Sequence, residues 1–80
     1  MPNDTQVDFD FQREGMTLVL MHANTDRARN IVSEEFDHAE NWGEAVVIEA
    51  RYAPDIAADL LRRGFTAALD GAEIQLRKGQ

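Results

Sequence analysis

The sequence predicts an α+β two-layer sandwich of the α/β class, a mixed sheet with two helices on one face. Three observations lead there. β-patterned segments surround two amphipathic helical segments in the order β-β-α-β-α-β-β. Glycine-bearing hairpin turns mark both ends of the chain, and eighty residues leave room for a single core. The whole of 1–80 is read as one domain without repeat or linker, its first five residues frayed as chain ends are.

Each element has its own signal. Val7, Phe9 and Phe11 alternate with Asp8, Asp10 and Gln12, the period of a half-buried strand. Gly15 follows in a short hairpin loop. Leu18-Val19-Leu20-Met21 is an unbroken apolar run, which predicts a central strand covered on both faces. Asn24 and Thr25 are N-cap types and Asp26 suits a first helical turn. Ala28, Ile31, Val32, Phe36, Ala39 and Trp42 then recur at three- and four-residue steps, predicting a helix from Thr25 to Asn41 that Gly43 stops. Ala45 to Ala50 is the next strand. Pro54 opens a second helix with Ile56, Ala57, Leu60 and Leu61 as its buried stripe, and Gly64 with Phe65 closes it. Thr66–Leu69 and Ala72–Arg77 form a terminal hairpin about Asp70-Gly71, a type I′ signature, with the last strand peripheral.

Right-handed crossovers are the rule, so the strands near Met16 and Ala45 are expected to run parallel. With both helices on one face, the other sheet face lacks a cover. Either the N-terminal segment folds over it or a second subunit does, which would make the protein a homodimer.

Composition bounds the function. Fifteen acidic residues against eight basic ones leave a net charge of −7, which opposes direct nucleic-acid binding. Cysteine does not occur, excluding disulfides and thiolate metal sites. The N-terminus lacks the basic and apolar regions of a signal peptide, and no apolar run is long enough to span a bilayer, so a cytoplasmic protein without membrane contact is expected. Eleven of the apolar residues are alanine, so the core must be thin.

Chemistry has few candidates. On the parallel-strand reading, His22, Asn24, Thr25, Arg51 and Tyr52 gather at the carboxyl edge beside two helix N-termini, where small anions bind. The bland alternative makes His22 a strand-end residue and pairs Arg51 with Asp26 or Asp55. No glycine-rich phosphate loop accompanies the set. His38 follows Glu34 by four residues, but two ligands do not make a metal site, and none is assigned. Ser33 is the only serine and lies mid-helix without an evident base. No catalytic residue and no cofactor are assigned, and a binding role is expected rather than catalysis.

Charge is the more distinctive feature. Residues 1–49 hold eleven acids and three bases, whereas residues 50–80 hold four acids and five bases. Glu34, Asp37 and Glu40 step by threes and predict an acidic helix face beside Trp42. Such a face is either a solvated surface that keeps a small domain soluble, or a docking surface for a basic protein anchored by Trp42 or Tyr52.

Trp42-Gly43, Ala45-Val46-Val47-Ile48-Glu49, Arg51-Tyr52, Ile56 and Gly64-Phe65 together resemble a pattern in short uncharacterised proteins encoded by bacteriophages and by mobile or accessory regions of bacterial genomes. That pattern is Trp-Gly, an apolar strand, Glu-x-Arg-Tyr, a helix and Gly-apolar. The resemblance covers roughly Ala28 to Leu69; Val7–Phe11 lies outside it. It brings no activity and implies an accessory protein that acts by binding. The leading expectation is thus a non-enzymatic interaction domain using its acidic helix face or open sheet face. The alternatives are a small-anion-binding domain at the carboxyl edge and a DNA-mimic inhibitor of a nucleic-acid-binding protein.

Overall fold

A computed structural model describes residues 7–74. The frayed start expected for residues 1–5, and the last strand beyond Ile74, lie outside the described residues. Strands β1 (Phe9–Glu14), β2 (Leu18–Ala23), β3 (Asn41–Trp42), β4 (Ala45–Glu49), β5 (Ala67–Leu69) and β6 (Ala72–Ile74) form one mixed sheet in the order β3-β4-β2-β1-β5-β6. Helix α1 (Asp26–Glu35) follows β2, and a 3₁₀ turn (Ala50–Tyr52) leads into helix α2 (Ala53–Arg62). The fold is α+β, with one more strand than the sequence suggested.

Register decides which side chains share a face. Phe9 lies opposite Ala23 and Ala67, Phe11 opposite Met21 and Leu69, Val19 opposite Ile48, and Met21 opposite Val46. These residues form one core cluster with Ala28 of α1 and with Ala57 and Leu60 of α2, so both helices cover the same face. Phe9, Phe11, Met21, Leu60 and Val46 are the largest side chains fully withdrawn from water. Each such burial contributes about 1.5–3 kcal/mol. The alanines sit between them; Ala28 and Ala67 are wholly inaccessible, and their small volume lets the layers approach closely.

Local chemistry explains most boundaries. The Thr25 hydroxyl caps α1 by accepting from the Ala28 N–H at 3.2 Å. At the end of α2, the Phe65 N–H donates to the Leu60 carbonyl at 3.0 Å and the Gly64 N–H to that of Leu61 at 3.1 Å. Gly64 stands at φ +95°, which completes a Schellman motif. Phe65 then meets Phe9 edge-on, with ring centroids 5.4 Å apart. Asp70 and Gly71 both have positive φ, as a type I′ hairpin requires.

Three expectations are corrected. α1 ends at Glu35 rather than Asn41. Continued to Asn41, it would crowd Glu34, Glu35, Asp37 and Glu40 at a carboxyl terminus whose dipole already repels them. It would also cost β4 its outer partner, since the Val47 N–H donates to the Glu40 carbonyl at 2.8 Å. The segment instead turns after Phe36, which still reaches the core with Ala39, and pairs Asn41–Trp42 with Val46–Ala45 as β3. Gly43 is therefore a hairpin-turn residue at φ +62°, not a helix stop.

The second correction follows. β2 and β4 run antiparallel, with Leu18 opposite Glu49 and Met21 opposite Val46. The strand reached from β2 through α1 is β3, and the β3–β4 hairpin folds β4 back between them. Third, β2 is central, between β1 and β4, but only one of its faces carries helices. The Val7–Phe11 segment does not fold over the open face; from Phe9 it becomes β1, inside the sheet between β2 and β5. Among the described residues no helix is long and apolar enough to cross a membrane.

Candidate functional site

The residues expected at one carboxyl edge stand at two edges. Because β2 and β4 are antiparallel, His22 lies at the end of β2, while Arg51 and Tyr52 follow Glu49, which pairs with Leu18 at its start. Four residues of strand separate those ends, roughly 13 Å. Arg51 donates through Nε to Glu49 Oε1 at 2.9 Å, neither to Asp26 nor to Asp55, and its guanidinium stacks on the Tyr52 ring at 4.9 Å. Arg51 and Tyr52 are thus a self-contained surface pair. The anion site drawn from all five residues does not form.

Asn24 and Thr25 have another task. The Asn24 Nδ2 donates to the Val7 carbonyl at 3.2 Å, and the Thr25 Oγ1 donates to Asp8 Oδ1 at 2.6 Å. Asp8 is only 4% exposed. Its carboxylate also accepts from Arg27 Nε at 3.1 Å, from an Arg27 terminal nitrogen at 2.6 Å, and from the Thr66 N–H at 3.0 Å. The Arg27 guanidinium, with these hydrogen bonds, holds the Asp8 carboxyl well below the usual carboxylate range despite burial, which acts the other way. The same guanidinium lies over the Phe65 ring at 4.8 Å. The anion beside the start of α1 is supplied by the chain itself. Asp8 escaped the sequence reading because strand alternation marks it as a solvent-facing polar residue.

The acidic helix face also dissolves into parts. Glu34 remains on α1, whereas Asp37 and Glu40 lie in the turn beyond it. Glu35, the last residue of α1, receives a two-pronged bond from Arg63 at 2.6 and 3.0 Å, which draws its pKa down. Arg63 also reaches Asp59 at 3.2 Å, so this cation ties the ends of both helices together. His38 stands almost fully in solvent 3.5 Å from Asp37, away from Glu34. Ser33 is exposed on α1.

Trp42 emerges on the sheet rather than on a helix. Register places it, with Ala45, Val47, Leu18, Leu20 and His22, on the face that carries no helix. Leu18, Leu20 and Val47 are half-buried in the middle, and Trp42 is 46% exposed at the β3 edge, its Nε1 donating to Glu40 Oε2 at 3.4 Å. The remaining outward strand positions bring Asp10, Gln12, Glu14, Glu49, Ala68 and Glu73. Four of these six are carboxylates, and among the described residues no lysine or arginine shares the strand positions of this face. An apolar centre, an aromatic edge and an acidic rim can grip a surface of opposite charge.

No protein family, curated protein or solved structure matches this chain.

Proposed function

We propose that the protein is a non-enzymatic interaction domain that docks a basic protein surface on its helix-free sheet face. One observation carries the reading: this face holds Leu18, Leu20 and Val47 beside the exposed Trp42, while its described strand positions supply Asp10, Glu14, Glu49 and Glu73 and no cation, Arg51 meeting Glu49 from the turn beyond β4. Carboxylates around the rim speed encounter with a cationic partner, and the aromatic edge slows its departure. A second copy suits the face less well, since it would set these carboxylates against their own kind. A nucleic-acid-binding protein presents the required basic surface, so a DNA-mimic inhibitor is a special case of the same reading. An accessory role in a phage or mobile element is in keeping with it.

The test is a titration of the isotope-labelled chain with a cationic amphipathic peptide rich in lysine, leucine and tryptophan. Shifts should cluster at Leu20, His22, Trp42 and Val47 and weaken with salt. Trp42→Ala combined with Glu14→Lys and Glu73→Lys should weaken binding at least ten-fold and leave the circular dichroism spectrum intact. Shifts confined to residues 34–40 would move the site to the acidic turn and sink the proposal. So would affinity unchanged by the triple substitution.

A further inference from the structure

The helix-covered side of the sheet holds a separate concavity. Near the β1–β2 hairpin a groove of about 520 Å³ opens between α2 and the sheet. Phe11, Val19 and Leu69 line it from the sheet, and Ala57, Ala58 and Leu61 from α2. Small side chains on the helix keep it open. Met16, at the hairpin tip, stands on its rim and is 95% exposed. In a chain of net charge −7, the single charged side chain among the described lining residues is a cation, Arg13. Arg13 occupies a core-side position opposite Val19, just where helix cover runs out. Its Nε donates to Asp70 Oδ2 at 2.8 Å; its terminal nitrogens have no acceptor among the described residues.

We propose that this groove binds an amphipathic monocarboxylate of the medium-chain fatty-acid type, its chain among the apolar side chains and its carboxylate on the terminal nitrogens of Arg13. The volume falls within the range of small-molecule sites, and an apolar cleft with one convergent polar group is their usual construction. A guanidinium matches a carboxylate in plane and in charge. Met16, unbranched and polarisable, can settle over chains of differing length. Asp70 already meets Arg13 through Nε, so a neutral lipid would fill the groove and leave only the terminal nitrogens without an acceptor among the described residues. A second copy of the chain is the competing occupant, and solution mass separates the two.

The full chain is titrated with octanoate, decanoate and decanol below their micelle concentrations, with methyl NMR of Met16, Ala58 and Leu61 as readout. Decanoate should saturate these signals and bind about ten- to twenty-fold more tightly than octanoate, as two further buried methylenes require. Arg13→Gln should weaken decanoate at least five-fold and leave decanol unchanged. Ala58→Trp, at a half-buried helix position, should abolish both; should that variant not fold, the chain-length series and the Arg13 comparison decide. Three results would overturn the proposal: no saturable shift, equal loss of decanol and decanoate in Arg13→Gln, or a ligand-free dimer with the groove methyls shielded. Leu18 borders both sites, but the sheet-face titration reads Leu20, His22, Trp42 and Val47, none of which lines the groove, so either proposal can fail alone.

Discussion

β1 and β2 each send alternate residues to two faces that could hardly differ more. On the covered side, Phe9, Phe11, Val19 and Met21 lose essentially all contact with water. On the open side, the same strands present Asp10, Gln12, Leu18, Leu20 and His22, none of them fully buried. The two layers of side chains are separated only by the backbone, so identical β-propensity serves opposite ends. Cohesion is concentrated on one side, which leaves the other able to vary its chemistry at little cost to folding. Leu18, Leu20 and Val47, apolar strand residues that stay in reach of solvent, are all on that open side.

The contrast can be broken by substitution. Phe9→Ala should cost about 3–5 kcal/mol, in a domain whose entire stability is of order 4–12 kcal/mol. Leu20→Ala, one strand away on the open side, should cost about 1 kcal/mol. Urea denaturation of the pair measures this directly, and equal losses would mean that something covers the open face in solution.

Asp8→Ala comes next, at about 3 kcal/mol, because it strands the Thr25 hydroxyl, the Thr66 N–H and the Arg27 guanidinium. Its pH signature has a definite sign. The folded carboxyl titrates below its ordinary value, so its stabilisation is complete above about pH 4 and is lost as pH falls through the depressed folded value. Wild type should weaken steeply in acid and Asp8→Asn less so, narrowing the gap between their melting temperatures. A gap constant from neutral to strongly acidic pH would show that the carboxylate is not the group responsible.

The smallest effect is expected at Arg63→Gln. Arg63 bridges Glu35 and Asp59 in partly solvated surroundings, where ion pairs are weak and salt-sensitive. Thermal melts of the variant and wild type should differ slightly at low salt and converge at high salt. A difference that persists would indicate packing by the arginine stem rather than charge.

Local signals were legible in the sequence, and contests between distant segments were not. The Thr25 cap, the Gly64-Phe65 closure and the Asp70-Gly71 turn each rest on residues within one or two turns of one another, so their chemistry is written where it acts. The span from Phe36 to Trp42 is different. Its apolar spacing does bring Phe36 and Ala39 to the core, as a helix would, but strand pairing with β4 claims the backbone from Glu40 onward. That exchange produced the strand the sequence hid, reversed the direction inferred for β4, and separated His22 from Arg51 and Tyr52. Trp42, expected at the end of the apolar stripe of α1 and as an anchor beside it, is instead 46% exposed on a sheet edge. Strand alternation marks Asp8 as solvent-facing, and the partners that hold its carboxylate, Arg27 and Thr66, lie 19 and 58 residues away.

The position of β1 sets a schedule for synthesis. Its hairpin partner β2 leaves the ribosome just behind it, but its other neighbour, β5, begins at Ala67. Until that segment emerges, one edge of β1 stays unpaired and Phe9 lacks both Ala67 beside it and Phe65 across its edge. A nascent chain thus carries an open β-edge from the end of β1 until β5 has emerged, a state prone to mispairing. The Asp8–Thr66 contact spans 58 residues, so closing the sheet on this side of β1 carries the entropy cost of a long loop, which local helices and hairpins do not.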